Sequence, residues 1–273
     1  MVYGALHKRT GPKHFLFALV ALLFLSILVA LLYVVLYGSF LKVRDIEING
    51  TRSVSRDSLL ASLSTRGVGN SKLLSWLGPD NILFWKFLPN SLSSANILPI
   101  VAEAVQNVDL GKRNVTVTIR EREGFGTWCA KNGGPTPTVG GYGRASCYVF
   151  DESGIAFGTA PASEGVLITE VEDQNSREPL IGISLFPRSA WRNSFFGTLQ
   201  ILKDNGIPIS KIIVRDFSLR EFEVVSTLGF SFYFSLDFTP DNLNAVLNNL
   251  SKQLTLSSLS YLDFRVPNRV YYK

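Results

Sequence analysis

Two pairs of residues in this chain combine reactive side chains with a suggestive spacing, and the first is a pair of glutamates. Glu121 and Glu123 lie two apart in a segment of strand-like alternation, so both carboxylates are predicted on one face, with Arg120 and Arg122 on the other. Two carboxyl groups on one face can hydrolyse a glycosidic bond, which makes a glycosidase one interpretation. Alternating charges at a strand end are usually a solvated face, and we favour that non-catalytic interpretation.

The second pair is Cys129 and Cys147, the only two cysteines of the chain. They belong to two predicted strands joined by a loop that contains the glycine-rich insert 133–143. In an exported domain they would form a disulfide that closes this hairpin, and two reduced, buried thiols are the alternative left open. A disulfide here would stabilise the hairpin and would catalyse nothing.

The positions of the histidines exclude several enzyme classes. His7 and His14 are the only two histidines, and both lie near the N-terminus. The rest of the chain therefore cannot build a Ser-His-Asp or Cys-His nucleophile, a histidine zinc site or a haem site. We expect no cofactor, no metal site, no small-molecule substrate and no enzymatic activity.

A single apolar segment precedes all of these residues and predicts a membrane anchor. From Phe15 to Tyr37 the one polar residue that is not aromatic is Ser26, and a helix of this length covers roughly 34 Å against a hydrocarbon core of about 30 Å. A buried core helix and a cleaved signal peptide are the alternatives, but the segment is apolar on all faces and runs into Tyr33, Tyr37 and Phe40. We predict one uncleaved transmembrane helix over residues 15–40.

Charge near the span predicts its orientation. The tail 1–14 carries Lys8, Arg9 and Lys13 and no acidic residue, whereas after the span Lys42 and Arg44 are offset by Asp45 and Glu47. Positive charge is retained in the cytoplasm, so the N-terminus is predicted inside and the remainder outside. Much of the net charge of +5 lies in this tail, and no basic, aromatic-rich stripe indicates binding of nucleic acid.

Beyond the membrane the pattern predicts an α+β protein in two parts. The first part has the order β-α-α-β-β, in which two helices cover a three-stranded sheet. Its predicted elements are a strand at Val43–Ile48, a helix from Ser55 through Leu63, an irregular segment Gly78–Phe87, a helix from Asn90 through Ile97, and strands at 100–108 and Val115–Glu123.

The second part is predicted as an antiparallel β domain with helices on one side. Its predicted strands are Phe125–Ala130, Cys147–Asp151, Ile155–Phe157, Val166–Val171, Ile212–Phe217, Glu221–Ser226, Phe230–Leu236, Tyr261–Asp263 and Arg269–Tyr272. A helix is predicted at Ser189–Lys203, and Pro240 is placed to open another.

The order of these features resembles the FtsQ/DivIB family of bacterial cell division proteins. The features that carry the resemblance are the basic tail and single span, Val43–Ile48 closed by Asn49-Gly50, the helix from Ser55, Asn81–Phe84, Arg120–Glu123 followed by Trp128, and Tyr261–Val270. The resemblance implies a POTRA domain over 42–123 and an FtsQ-like β domain over 124–273. The cysteine pair and the glycine-rich insert are not general features of that family.

The resemblance also implies a function. It implies a non-catalytic scaffold of the divisome, in the inner membrane at the division site, that binds an FtsB/FtsL-like pair and helps to control septal peptidoglycan synthesis. The binding residues carried over are Arg265, Val266, Arg269, Val270, Tyr271 and Tyr272.

Such a partner would bind by β-augmentation, in which its strand is added to the edge of the sheet. A terminal strand at the edge leaves backbone N–H and C=O groups free for this pairing. Pro267 in this stretch would remove one ladder donor. The alternatives are an ordinary edge strand blunted by Arg269 and Lys273, a wall-acting glycosidase that uses Glu121 and Glu123, or a POTRA-type export or chaperone component.

Overall fold

The computed structural model describes residues 12–65, 71–89, 91–93, 97–130, 146–160, 169–175, 179–253 and 259–273. These residues form a mixed α+β protein with one apolar N-terminal helix, a four-stranded sheet and a nine-stranded sheet. The chain divides into two compact units: a first unit of Met1–Leu92 with Ala104–Ile119, and a second unit of Ser93–Glu103 with Arg120–Lys273. Most of the predicted tail 1–14 and the whole insert 133–143 lie outside the residues described.

The N-terminal helix α1 spans Pro12–Tyr37. Its stretch Phe15–Val35 has 21 residues with a mean hydropathy of 3.1, and none of it is buried. A core helix of a soluble protein would be largely covered, so length, composition and exposure together make α1 capable of crossing a membrane. The helix ends three residues before the predicted boundary, because Gly38 turns to an extended backbone and a short 3₁₀ turn, Ser39–Leu41, follows.

Besides α1, the described part of the first unit contains three helices and most of the four-stranded sheet. The elements are β1 (Asp45–Asn49), α2 (Arg56–Thr65), α3 (Lys72–Leu77), α4 (Ile82–Phe87), β2 (Ser91–Ser93), β3 (Val101–Asp109) and β4 (Asn114–Glu121). The sheet order is β1-β4-β3-β2, and β1 runs parallel to β4.

Three predictions for this unit are wrong, and the first is the three-stranded sheet in the order β-α-α-β-β, since the sheet has a fourth strand, β2, and three helices lie between β1 and β2. The segment predicted as irregular contains α4, because Asn81 caps it by accepting the Leu83 N–H at 3.0 Å and the helix then buries Ile82, Phe84 and Trp85. The helix predicted from Asn90 through Ile97 is not present in the described part of that segment, where Ser91–Ser93 forms β2. Sheet pairing outweighs the local capping signal there, since β2 joins β3.

The second unit contains the nine-stranded sheet and two long helices. The elements are β5 (Gly126–Ala130), β6 (Ser146–Phe150), β7 (Ala156–Ala160), β8 (Thr169–Asp173), α5 (Ser189–Asp204), β9 (Ile209–Val214), β10 (Glu221–Ser226), β11 (Ser231–Ser235), α6 (Leu243–Gln253), β12 (Tyr261–Asp263) and β13 (Tyr271–Tyr272). The strand order is β13-β12-β11-β10-β9-β8-β5-β6-β7.

The prediction of a purely antiparallel sheet is wrong, because the sheet is mixed. Strands β8 and β9 are parallel, as are β11 and β12, and also β5 and β8. Helix α5 connects the first of these pairs and α6 connects the second, and a helical crossover is what returns a chain to pair in parallel. The strand–helix–strand order in the sequence is compatible with such a crossover, but it does not show which strands pair.

Alternate strand residues build one continuous core. On β10 and β11, Phe222, Val224, Phe232 and Phe234 lie on the covered face, packed in one buried cluster with residues of α5 and α6. The opposite face of the same strands carries polar and tyrosine side chains, including Glu221, Glu223 and Tyr233. The sheet therefore has one apolar face, which the helices cover, and one polar face, called the open face below. Its last strand is β13.

Candidate functional site: the outer strand of the nine-stranded sheet

Strand β13 is placed by a tight turn that follows β12. Asn268 adopts a left-handed backbone with φ of 59°, and the Arg269 N–H donates to the Val266 carbonyl at 3.2 Å. Pro267 lies in this turn rather than in a strand, so it removes no ladder donor, contrary to the prediction. The turn reverses the chain and pairs β13 antiparallel with β12.

The hydrogen-bond register shows which backbone groups of β13 point outward. Tyr261 and Lys273 exchange both of their backbone bonds at 3.4 Å, and the register pairs Leu262 with Tyr272 and Asp263 with Tyr271. In an antiparallel ladder, hydrogen-bonded and non-hydrogen-bonded pairs alternate. Tyr271 therefore directs its N–H and C=O toward β12, and Tyr272 directs its own away from the sheet.

Strand β13 exposes its two aromatic side chains to solvent. Tyr271 is 47% exposed and Tyr272 is 60% exposed, and they lie on opposite faces of the sheet. Val270 packs against the buried cluster, which fixes the start of the strand, whereas Val266 and Arg269 are exposed. Five of the six predicted binding residues thus lie on the turn and strand at this edge.

Arg265, the sixth predicted binding residue, is held by its own chain. Its Nε and Nη2 donate to the two carboxylate oxygens of Asp263 at 2.9 and 2.6 Å, and Nη1 pairs with Glu221. The guanidinium also lies over the Tyr233 ring, 5.3 Å from its centroid. A partner would therefore meet Arg265 as part of a charge cluster rather than as a free cation.

The electrostatics of this cluster follow from the same contacts. Hydrogen bonds from the Arg265 side chain hold the pKa of Asp263 below its ordinary value, against the opposing effect of burial. The bonds to Asp263 and then Glu221 raise the pKa of Arg265. Burial is the main cause that raises the pKa of Tyr233, with the Glu223 charge next.

A cleft of about 210 Å³ adjoins the cluster on the open face of the sheet. Arg215 and Glu223 both line it and pair at 2.6 Å, and this hydrogen bond is the main cause that raises the pKa of Arg215. Glu221, Glu223, Tyr233 and Asp263 are not among the binding residues predicted from the sequence. Their period-two alternation with buried phenylalanine and leucine residues was the signal that could have grouped them.

The glutamates Glu121 and Glu123 are not brought to this edge. Strand β4 ends at Glu121, so Glu123 lies in the segment that follows, and both line an open cavity of about 1050 Å³ together with Arg120 and Arg122. The predicted separation of the glutamates and arginines onto two strand faces therefore does not extend past Glu121. The Arg122 side chain is buried and pairs with Asp151.

The cysteine pair lies on the first hairpin of the second unit. Cys129 and Cys147 face each other across β5 and β6 and are joined by a disulfide, with their sulfur atoms 2.07 Å apart. Residues 131–145 between them are outside the described part of the chain. The bridge therefore links two neighbouring strands of the sheet.

The remaining chemistry of the described residues points to no metal centre. Across the ranges that the structure describes, no group of three or more histidine, cysteine, aspartate or glutamate side chains is arranged to hold a metal ion. Comparison of the chain with protein-family models and with curated proteins found no match.

Proposed function

We propose that this chain is a non-catalytic, bitopic membrane scaffold of the bacterial divisome, similar to FtsQ/DivIB proteins. In this proposal α1 anchors the chain in the cell membrane at the division site with its N-terminus in the cytoplasm. The first unit acts as a POTRA domain that meets other divisome components. The second unit binds an FtsB/FtsL-like pair along β13 and so helps to control septal peptidoglycan synthesis.

The observation that carries the proposal is the outward direction of the Tyr272 backbone. Strand β13 is the last strand of the sheet, and no strand within the described ranges pairs with its outer flank. An edge of this kind is a template for another strand, whose backbone bonds would supply the affinity. Tyr271 and Tyr272, exposed on opposite faces, would supply the side-chain selectivity.

The experiment compares two substitutions of Tyr272 that separate the contribution of its backbone N–H to partner affinity from that of its side chain. Tyr272→Pro removes the outward N–H without removing a bond to β12, so we expect affinity for the FtsB/FtsL-like pair of the same organism to fall about tenfold. Tyr272→Ala keeps the N–H and loses only the ring. Isothermal titration of the full-length protein in detergent measures both, and Leu228→Ala, at an exposed turn of the same unit, is the matched control.

Two outcomes discriminate between a partner strand added at β13 and an ordinary edge strand that no partner strand joins. Loss of affinity in Tyr272→Pro beyond that in Tyr272→Ala supports strand addition, provided that all variants keep the wild-type melting temperature. Equal affinity of Tyr272→Pro and the wild type would show that the partner does not add a strand at this position.

A further inference from the structure

The end of α1 is tied directly to the first unit by a buried asparagine. The Asn81 side chain caps α4 through Oδ1, and its Nδ2 donates to the Val35 carbonyl at 2.7 Å. Val35 is the last residue of the apolar stretch that could cross a membrane. One side chain therefore joins the start of α4 to the end of the span.

The segment that follows α1 is held by further hydrogen bonds rather than acting as a free linker. The Val43 N–H donates to the Asp80 carbonyl at 2.8 Å, and the Arg44 N–H donates to the Arg113 carbonyl at 2.9 Å. Arg113 in turn donates from Nη1 to the Ser39 carbonyl at 3.1 Å. Because these bonds fix both sides of the 3₁₀ turn, the first unit is held close to the end of the span.

One tryptophan near this junction is exposed, unlike the other tryptophans of the chain. Trp76 is 74% exposed, whereas Trp85, Trp128 and Trp191 are 1%, 0% and 6% exposed. Phe40, in the turn directly after α1, is 79% exposed. Tryptophan is enriched at the boundary between lipid and water, where its apolar ring and polar N–H are both satisfied.

The backbone places Trp76 near the end of the span. Trp76 lies in the last turn of α3, the Gly78 N–H closes that helix on the Leu74 carbonyl, and the Asn81 N–H bonds to the Gly78 carbonyl at 3.2 Å. Such a four-residue turn keeps its end Cα atoms within about 7 Å, so the Cα of Trp76 lies within about 14 Å of that of Asn81. A tryptophan side chain at that distance can reach the headgroup region.

The charges around the junction suit the same surface. Lys42 and Lys72 are exposed beside these aromatic residues, and Asp80 is the acidic residue in the connecting turn. Lysine side chains near a span attract anionic headgroups and extend their amines toward them.

We infer that the first unit rests on the bilayer that α1 enters, with Trp76 and Phe40 inserted at the level of the lipid headgroups. The partner of this surface is the membrane itself. The inference rests on the membrane anchorage proposed above and is independent of the partner strand at β13. In this arrangement the end of α1 and the rest of the first unit are held together at the lipid surface.

The test uses quenching of tryptophan fluorescence by lipid. The full-length protein and the Trp76→Phe variant are reconstituted into phosphatidylcholine vesicles with and without brominated acyl chains. The difference between the two proteins isolates the Trp76 emission, because the three buried tryptophans are common to both. We expect brominated lipid to remove most of this Trp76 emission and acrylamide in the water to quench it weakly.

The result that would overturn the inference is a Trp76 emission that acrylamide quenches freely and brominated lipid leaves unchanged. Extraction of the vesicles with alkaline carbonate separates this result from a failure of the anchor. Protein that stays in the lipid while Trp76 remains unquenched contradicts this inference alone. Protein that washes off contradicts the membrane anchorage as well.

Discussion

At the scale of residues, the charge cluster around Arg265 connects strands β10 and β12 of the second unit. Arg265 follows β12, Asp263 belongs to β12 and Glu221 begins β10, so the guanidinium bridges strands that are not neighbours in the sheet. The two bonds to Asp263 have the bidentate geometry that makes arginine–carboxylate pairs stronger than single contacts. Because this cluster adjoins the turn into β13, it helps to hold the proposed binding strand in place.

The change Asp263→Asn should weaken this support in a pH-dependent way. At neutral pH we expect the free energy of unfolding to fall by about 1 kcal/mol, since the pair is partly exposed. The folded-state pKa of Asp263 is lowered, so its contribution is fully present above the unfolded-state pKa and is lost as the pH falls through the folded-state value. Urea unfolding of the wild type and variant at neutral and acidic pH measures the difference.

The difference between wild type and Asp263→Asn should shrink as the pH falls below the ordinary pKa of an aspartate, because the folded-state pKa of Asp263 is lower still. Glu152→Gln, at an exposed carboxylate of the same unit, is the control for a change of charge alone. A difference that stays constant over the whole pH range would contradict the role assigned to this ion pair.

At the scale of elements, strand β5 is tied to both of its neighbours by side chains as well as by backbone. The disulfide joins it to β6, and the Trp128 Nε1–H donates to the buried Asp173 of β8 at 2.9 Å. Trp128 also belongs to the buried cluster under α5. The hairpin and the parallel pair are therefore held as one section of the sheet.

Removal of the disulfide should destabilise this section. In the double variant Cys129→Ala/Cys147→Ala we expect the free energy of unfolding to fall by about 3 kcal/mol, because the cross-link restricts the unfolded chain over an 18-residue separation. Urea unfolding measures the change. A reducing agent should have the same effect on the wild type and none on the variant, and equal midpoints for oxidised wild type and variant would contradict the prediction.

At the scale of the whole molecule, the chain combines one apolar helix with two folded units of different sheet topology. The first unit contains the hydrogen bonds that receive the end of α1, and the second contains the open strand β13. If α1 spans the membrane with the basic tail inside, the part of the first unit that follows α1 and the whole second unit lie outside the cytoplasm. In the function proposed above, the anchor and the strand that binds the partner would belong to separate parts of the chain.

Labelling of single introduced cysteines should report this orientation. In spheroplasts, Leu228→Cys in the second unit should react with a maleimide that cannot cross membranes, whereas Ala5→Cys in the tail should react only after lysis. The native cysteines do not interfere, since they are joined to each other. The reverse pattern would show that the charge rule does not set the topology of this chain.

Much of the local structure could be predicted from the sequence because its signal is local. The helix predicted at Ser189–Lys203 is Ser189–Asp204 in the structure, and the strand predicted at Phe230–Leu236 is Ser231–Ser235. The apolar helix and the α+β class were likewise predicted correctly. Each depends on the spacing of apolar side chains along a short stretch, which the order of residues alone determines.

Only the tertiary structure decided which strands are parallel and which backbone groups are free. The parallel pair β11–β12 depends on the path through α6, and the outward direction of Tyr272 depends on the bonds between Tyr261 and Lys273. The N–H groups of Tyr271 and Tyr272 look alike in the sequence, yet the ladder uses one and leaves the other outside. Hydrogen bonds between residues distant in the chain make this choice, and no local pattern encodes them.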